Sequence, residues 1–297
     1  MTTLRFTKGH GTENDFVLLF DERGDLDMTP ELVRFLCDRR AGLGADGVIR
    51  AVRAGHLPAG AGFDPAAWFM DYWNADGSTS EMCGNGARVF GALLERDAHL
   101  DLRGGLTFGT RGGARTVTAL GDGRYAVGMG EYRIDADDFD AEVEAVGLAP
   151  ARPALSVDLG NPHHVVALAH LGELEALDLA RAPVVNPQPP TGSNVEFVVT
   201  LGGEVRDGVE RGRVRMRVHE RGSGETRSCG TGACAVALAV RQWAGDGSPD
   251  VWDVEVPGGL VTVRVAGGRT ILEGPAVLIA DGDVVIPASM RLAASAR

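Results

Sequence analysis

The sequence predicts an α+β fold in two pseudosymmetric domains, each a curved, mostly antiparallel sheet wrapped around a central helix. Three observations carry this expectation. Short β-rich runs dominate the chain, single helical stretches interrupt them, and one set of landmarks recurs at matching offsets in both halves. In the first half the β-rich runs are 4–8, 16–20, 47–52, 68–73, 106–108 and 115–120, with helices expected near 30–40 and 84–96. Thr29 can cap the first of these helices, Pro30 suits its first turn, and Leu32, Val33, Phe35 and Leu36 fill it. Segment 54–66 is rich in Gly, Pro and Ala and reads as an exposed loop.

The second half repeats the scheme. Strand runs fall at 154–159, 164–169, 196–200, 214–220, 254–256 and 261–265, and helices near 171–180 and 230–244. A hinge near 128–135 would divide the chain into domains 1–130 and 131–274. Asn14 lies 69 positions before Cys83, and Asn161 lies 68 before Cys229. Asn74 precedes Cys83 by nine positions, as Glu220 precedes Cys229. Duplication is the simplest account of these offsets, and it would place the equivalent sites face to face across a cleft, where small ligands usually bind.

Composition narrows the function. The chain has 297 residues, 44% of them apolar, enough for two cores. Forty-one acidic residues against 29 basic ones give a formal charge of −12, which argues against nucleic-acid and anionic-lipid surfaces. No run approaches the roughly 18 apolar residues of a membrane span, and residues 1–6 lack a signal peptide's apolar core. A cytoplasmic setting with reduced thiols is expected. Cys37, Cys83, Cys229 and Cys234 show neither Cys-x-x-Cys spacing nor close His partners, so no metal is expected. Cys37 and Cys234 sit inside apolar helical runs and read as core packing.

The other two cysteines share a setting. Met82-Cys83-Gly84-Asn85-Gly86 and Cys229-Gly230-Thr231-Gly232 each open an apolar stretch that reads as a buried helix. A thiol at a helix N-terminus meets backbone N–H groups and the positive end of the dipole, which favour its thiolate. Two such thiols on opposite sides of one carbon can remove a proton from one face and return one to the other, the chemistry of a cofactor-independent racemase or epimerase. No lysine stands in a convincing Schiff-base setting, so no cofactor is expected. Carbanion stabilisation then falls to the amides of Gly84, Asn85, Gly230 and Thr231. The two thiols must titrate as a coupled pair. His163 and Glu220 are candidates for poising them, whereas His164 and His219 are expected to point the other way along their strands. Asn14, Asn74, Asn161 and Asn194, with Arg221, are candidates for holding a polar, zwitterionic substrate, although any single Asn at a strand edge is more often a turn residue.

These segments together resemble the diaminopimelate epimerases, which interconvert LL- and meso-diaminopimelate without pyridoxal phosphate. The matching stretches are 8–16, 42–47, 74–78, 82–86, 160–163, Asn194 and 220–232. The resemblance implies Cys83 and Cys229 as the acid–base pair and a substrate carboxylate held by the two helix N-termini. It implies that Asn74, Asn161, Asn194 and Arg221 read the distal, L-configured end, with Asn14 nearby. It further implies that the segment after about Gly274, residues 275–297, returns to the first domain, and that the enzyme is a homodimer serving lysine and peptidoglycan precursor synthesis. Two positions depart from the pattern: Glu13 stands where many members carry Gly, and Gly47 where some carry a substrate-contacting Gln. A proline or hydroxyproline racemase would share the architecture but leave the Asn set and Arg221 without a role. A phenazine-type isomerase would lack the thiol pair, and a thiol redox or binding protein would use Cys83 and Cys229 as a switch.

Overall fold

The computed structural model describes residues 2–134, 141–287 and 290. It divides into two compact units, Met1–Val127 with Pro275–Arg297, and Gly128–Gly274. Residues 135–140, part of the expected hinge and second domain, and 288–289 and 291–297, part of the returning segment, lie outside the described residues.

The first unit begins with β1 (Thr2–Gly11), β2 (Asn14–Phe20), α1 (Pro30–Cys37), β3 (Gly47–Arg53) and β4 (Trp68–Asn74). It continues with α2 (Gly84–Asp97), β5 (Leu106–Phe108), β6 (Arg115–Gly121) and β7 (Arg124–Glu131), the last of which carries the chain across the boundary. In the second unit follow β8 (Arg133–Ile134), β9 (Glu142–Glu144), β10 (Arg152–Pro153), β11 (Leu155–Asp158), β12 (Pro162–Ala167), α3 (Leu171–Ala176) and β13 (Val184–Asn186). Then come β14 (Asn194–Arg206), β15 (Val209–Glu220), β16 (Gly224–Thr226), α4 (Gly230–Ala244), β17 (Val251–Val256), β18 (Gly259–Ala266) and β19 (Arg269–Pro275). Strand β20 (Val277–Ile286) belongs to the first unit.

In the first unit the main sheet has the order β20-β1-β2-β3-β4, antiparallel except for the β2–β3 pair. Helix α2 packs against β1, β2, β3, β6 and β20, and every residue from Gly84 to Leu94 is buried. A helix covered on all sides needs small residues where strands come close. Gly86 is one: a Cβ there would meet Ile49 Cδ1 at 2.8 Å. Thr29 caps α1 as expected, its hydroxyl accepting from Leu32 N at 3.2 Å. Leu32, Val33 and Leu36 pack with Val17, Leu19 and Val48 of the sheet.

The second unit carries the strand order β19-β18-β17-β15-β14-β12-β11-β8, with β16 on β15 and a separate β10-β9-β13 sheet. Here β12–β14 and β15–β17 are the parallel pairs. Helix α4, buried from Ala233 to Val240, packs against β11, β12, β14 and β15. On the other side of β14, Val195, Phe197 and Val199 join Leu174, Leu177 and Val143 in a separate apolar cluster. This is mixed α+β architecture, mostly sheet, as the sequence predicts. Several elements differ in extent: α1 ends at Cys37 rather than near 40, β1 runs from Thr2 to Gly11, and two further differences have a visible cause. The helix expected over 171–180 stops at Ala176, because Leu177 turns extended and Asp178 bridges to Val146. Strands expected at 196–200 and 214–220 are the inner parts of a long hairpin, closed at Asp207 and Gly208, whose φ of 54° and 76° suit a tight two-residue turn. Among the described residues no helix is long and apolar enough to cross a membrane.

Leu93 is fully buried in α2. Leu93→Ala is expected to lower the free energy of unfolding by about 2–5 kcal/mol in chemical denaturation. A loss below about 1 kcal/mol would mean that the helix is not the core of its unit.

Candidate active site

Each unit presents one cysteine in the same local geometry. Cys83 is the N-cap of α2, and its Sγ accepts from Gly86 N at 3.4 Å. Cys229 is the N-cap of α4, and its Sγ accepts from Gly232 N at 3.3 Å. A sulfur thus fills the capping role usually taken by a Ser, Thr or Asp oxygen. The second Gly of each Cys-Gly-x-Gly keeps the cap open. At Gly232 a Cβ would lie 3.3 Å from the Cys229 sulfur and 2.7 Å from Glu196 Oε1.

Around Cys83 the structure gathers Asn14 and Asn85. The thiol donates to Asn14 Oδ1 at 3.7 Å, and Asn85 Nδ2 donates to the same oxygen at 3.2 Å. Asn14 Nδ2 donates to Asp46 Oδ2 at 2.8 Å, which fixes the amide so that its oxygen faces the sulfur. Asp46 and Asp15 are joined through Arg39, and Lys8 adds a 2.6 Å contact to Asp15. Burial opposes ionisation of Asp15, but Arg39 and Lys8 outweigh it and hold its carboxyl down to about 2. Asn85 Oδ1 accepts from the fully buried Arg88, which also donates to Thr12 Oγ1 and the Pro275 carbonyl. Asn74 stands apart in its own turn, donating to Ser78 Oγ at 3.0 Å.

Around Cys229 the pairings of β12, β14 and β15 place His163, Asn194, Glu196 and Glu220 on one face. His164 and His219 point to the other, against Ser193 Oγ and the Leu179 carbonyl. His163 is fully buried between Glu196 Oε1, 2.7 Å from Nδ1, and Asn161 Oδ1, 3.1 Å from Nε2. Asn161 Nδ2 donates to Thr231 Oγ1 at 3.4 Å, and Thr231 Oγ1 lies 3.5 Å from the Cys229 sulfur. Thr226 donates to Glu220 Oε1. Asn194 is engaged with backbone, donating to the Pro162 carbonyl and accepting from Arg221 N, while the Arg221 guanidinium donates to the Thr191 carbonyl. Burial pushes the Cys229 thiol well up, and the charges of Glu220 and Glu196 add to it, against bonds from Thr231 and the Gly232 amide. The Glu220 carboxyl is raised as well, by burial first. Burial likewise pushes Cys37 up to about 12, in keeping with a packing role. Among the described residues no group of three or more His, Cys, Asp or Glu side chains is arranged to hold a metal ion.

The diaminopimelate epimerase family model matches residues 6–134 and 155–279. The chain is 46% identical to the diaminopimelate epimerase of Streptomyces coelicolor over 95% of its length and 96% of that protein. The chain belongs to the diaminopimelate epimerase family. It is also 45% identical to the diaminopimelate epimerase of Rhodococcus jostii and 44% identical to that of Thermobifida fusca, covering 96% and 99% of those proteins. Among solved structures, a Bacillus anthracis protein of the PhzF phenazine-biosynthesis family (TM-score 0.66, 15% identity) covers 96% of this chain and 100% of its own. A hydroxyproline epimerase from Agrobacterium vitis (TM-score 0.62, 18% identity) covers 96% and 91%. At these identities the two likenesses establish the fold that the family shares. The protein is an epimerase of amino-acid biosynthesis.

Sequence reasoning in this family member did not single out Glu196, Asp46 or Arg88, which hold His163, Asn14 and Asn85. Because the Glu220 charge opposes ionisation of Cys229, Glu220→Gln is expected to speed alkylation of Cys229 by iodoacetamide about three- to tenfold near neutral pH. Peptide mapping reads the rate, and an unchanged rate would remove Glu220 from the thiol's electrostatics.

Proposed function

We propose that this enzyme interconverts LL- and meso-diaminopimelate by a two-base mechanism in which Cys83 and Cys229 act on one α-carbon. The observation that carries the reading is the matched pair of buried helices, each capped by a cysteine sulfur through its N3 amide. The α-hydrogen is a very weak acid, so the negative charge must be met by fixed dipoles as it forms. Amides of the first helical turns, at Gly84, Asn85, Gly230 and Thr231, are suited to the carboxylate as it becomes enediolate-like. One thiolate takes the proton, the other cysteine gives its own to the opposite face, and the two leave turnover with roles exchanged. No electron changes hands.

The surroundings differ enough to set the resting state. Burial and two carboxylates keep Cys229 protonated, which suits it to begin as the acid, whereas Cys83, whose thiol donates to Asn14 Oδ1, must give up its proton before it serves as the base. Glu220, whose charge opposes a thiolate at Cys229, is assigned to take up the Cys229 proton in the reverse direction, with His163 poising the pair. Asn74, Asn161, Asn194 and Arg221 are assigned to the distal end of the substrate, with Asn14 beside Cys83. The same reading carries a cytoplasmic homodimer that supplies lysine and peptidoglycan precursors.

The test is proton NMR in deuterated water with LL-diaminopimelate, and L-proline in a parallel tube. Loss of the α-proton signal with appearance of the meso isomer, proline remaining untouched, is the expected result. Cys83→Ala and Cys229→Ala should each reduce that rate by about 10²- to 10⁴-fold or more with circular dichroism unchanged. Exchange of proline instead would overturn the substrate, and full activity in either variant would overturn the two-base assignment.

A further inference from the structure

The mechanism leaves one buried carboxyl group unused. Glu196 has no exposed surface, is the third residue of β14 and touches the first turn of α4 so closely that only glycine fits at position 232. Its Oε1 meets His163 Nδ1 at 2.7 Å, and among the described residues its Oε2 has no hydrogen-bond donor. The imidazole is thus the one side-chain partner of the carboxyl among the described residues. The other ring nitrogen also faces an oxygen, that of Asn161, so the ring is placed to donate from both sides as an imidazolium.

That protonation state has a consequence three groups away. If His163 Nε2 donates to Asn161 Oδ1, the Asn161 amide nitrogen must be the end that reaches Thr231 Oγ1, and the Thr231 hydroxyl is left to donate onward to the Cys229 sulfur. A neutral ring protonated at Nδ1 reverses every step. Asn161 turns its nitrogen toward Nε2, Thr231 donates back to Asn161, and an oxygen lone pair faces the sulfur. A donor favours the thiolate and a lone pair the thiol. The other ionisable groups near His163 are Glu220 from β15 and Cys229 at the start of α4.

We infer that Glu196 is a positioning residue for the epimerisation: it holds His163 doubly protonated and so sets the direction of the hydrogen bonds running through Asn161 and Thr231 to Cys229. The inference rests on the two-thiol reading for its meaning in turnover, but not for its test. Nitrogen-15 NMR of the imidazole in the wild-type protein should show imidazolium for His163 at neutral pH, and a neutral ring would overturn the proposal. Glu196→Gln keeps an acceptor for Nδ1 but removes the charge, and should convert the signal to the neutral ring. Thr231→Val removes the hydroxyl while keeping the helix amide. Each variant should slow diaminopimelate turnover about tenfold or more, mainly in kcat, and the double variant should be no slower than Thr231→Val alone. Additive losses, or a loss with an unchanged nitrogen signal, would reduce Glu196 to a packing role and overturn the inference. Iodoacetamide labelling of Cys229 in the same variants gives the same non-additivity test without any substrate. Should wild-type enzyme prove inactive on diaminopimelate, the functional reading fails while the nitrogen signal and labelling still judge Glu196.

Discussion

A sulfur atom capping a buried helix is the constraint on which the rest of this protein depends. In each unit the cysteine must stay extended, with φ of −138° at Cys83 and −115° at Cys229, for its side chain to turn back onto the N3 amide. The residue at N3 must then be glycine: a Cβ would meet Ile49 Cδ1 of the sheet at Gly86, and Glu196 Oε1 and the Cys229 sulfur at Gly232. The helix behind the cap must be buried, since its dipole acts on the sulfur in proportion to how little water screens it. Sequence motif, helix burial and thiol chemistry are one requirement seen at three scales.

Much of this was legible in the chain. Cys-Gly-x-Gly followed by an unbroken apolar run reads as a capped, buried helix, and both α2 and α4 begin where that pattern places them. The alternation of β12 and β15 correctly separates His163 and Glu220 from His164 and His219. What was hidden is what only tertiary neighbours decide. Glu196 follows Val195 and precedes Phe197, so local alternation reads it as the solvent side of a half-buried strand. It is buried because α4, more than 30 positions later, covers that side. The outer half of the β14–β15 hairpin escaped notice because its glycines and alternating charges carry no apolar period. The helix at 171 ended early because Asp178 finds a strand partner, which propensity cannot foresee.

The first unit solves a different problem from the second. Asn14 lies next to a turn in which Thr12 and Glu13 both have positive φ, an uncomfortable arrangement for residues other than Gly, Asn or Asp. The buried Arg88 holds Thr12 from one side, and Asp46 holds the Asn14 amide from the other. Glu13 has a φ of 62°, and its strain is tolerated because the residues on either side are fixed by long-range bonds. Lys8 and Arg39 keep Asp15 ionised and Arg39 holds Asp46 in place, so this cluster serves to orient one amide oxygen toward Cys83.

The two thiols therefore meet unlike surroundings: neutral amides near Cys83, carboxylates and an imidazole near Cys229. In a two-base reaction this asymmetry cannot alter the equilibrium between the isomers, which belongs to the substrates alone. It can alter which protonation state the free enzyme occupies, and hence which isomer it is ready to accept. A chain that raises the pKa of Cys229 by burial would trap that state if nothing offset it. The Thr231 hydroxyl and the Gly232 amide are the groups that favour the Cys229 thiolate. The carboxylates of Glu220 and Glu196, more than the cap that both sulfurs share, distinguish the second thiol from the first.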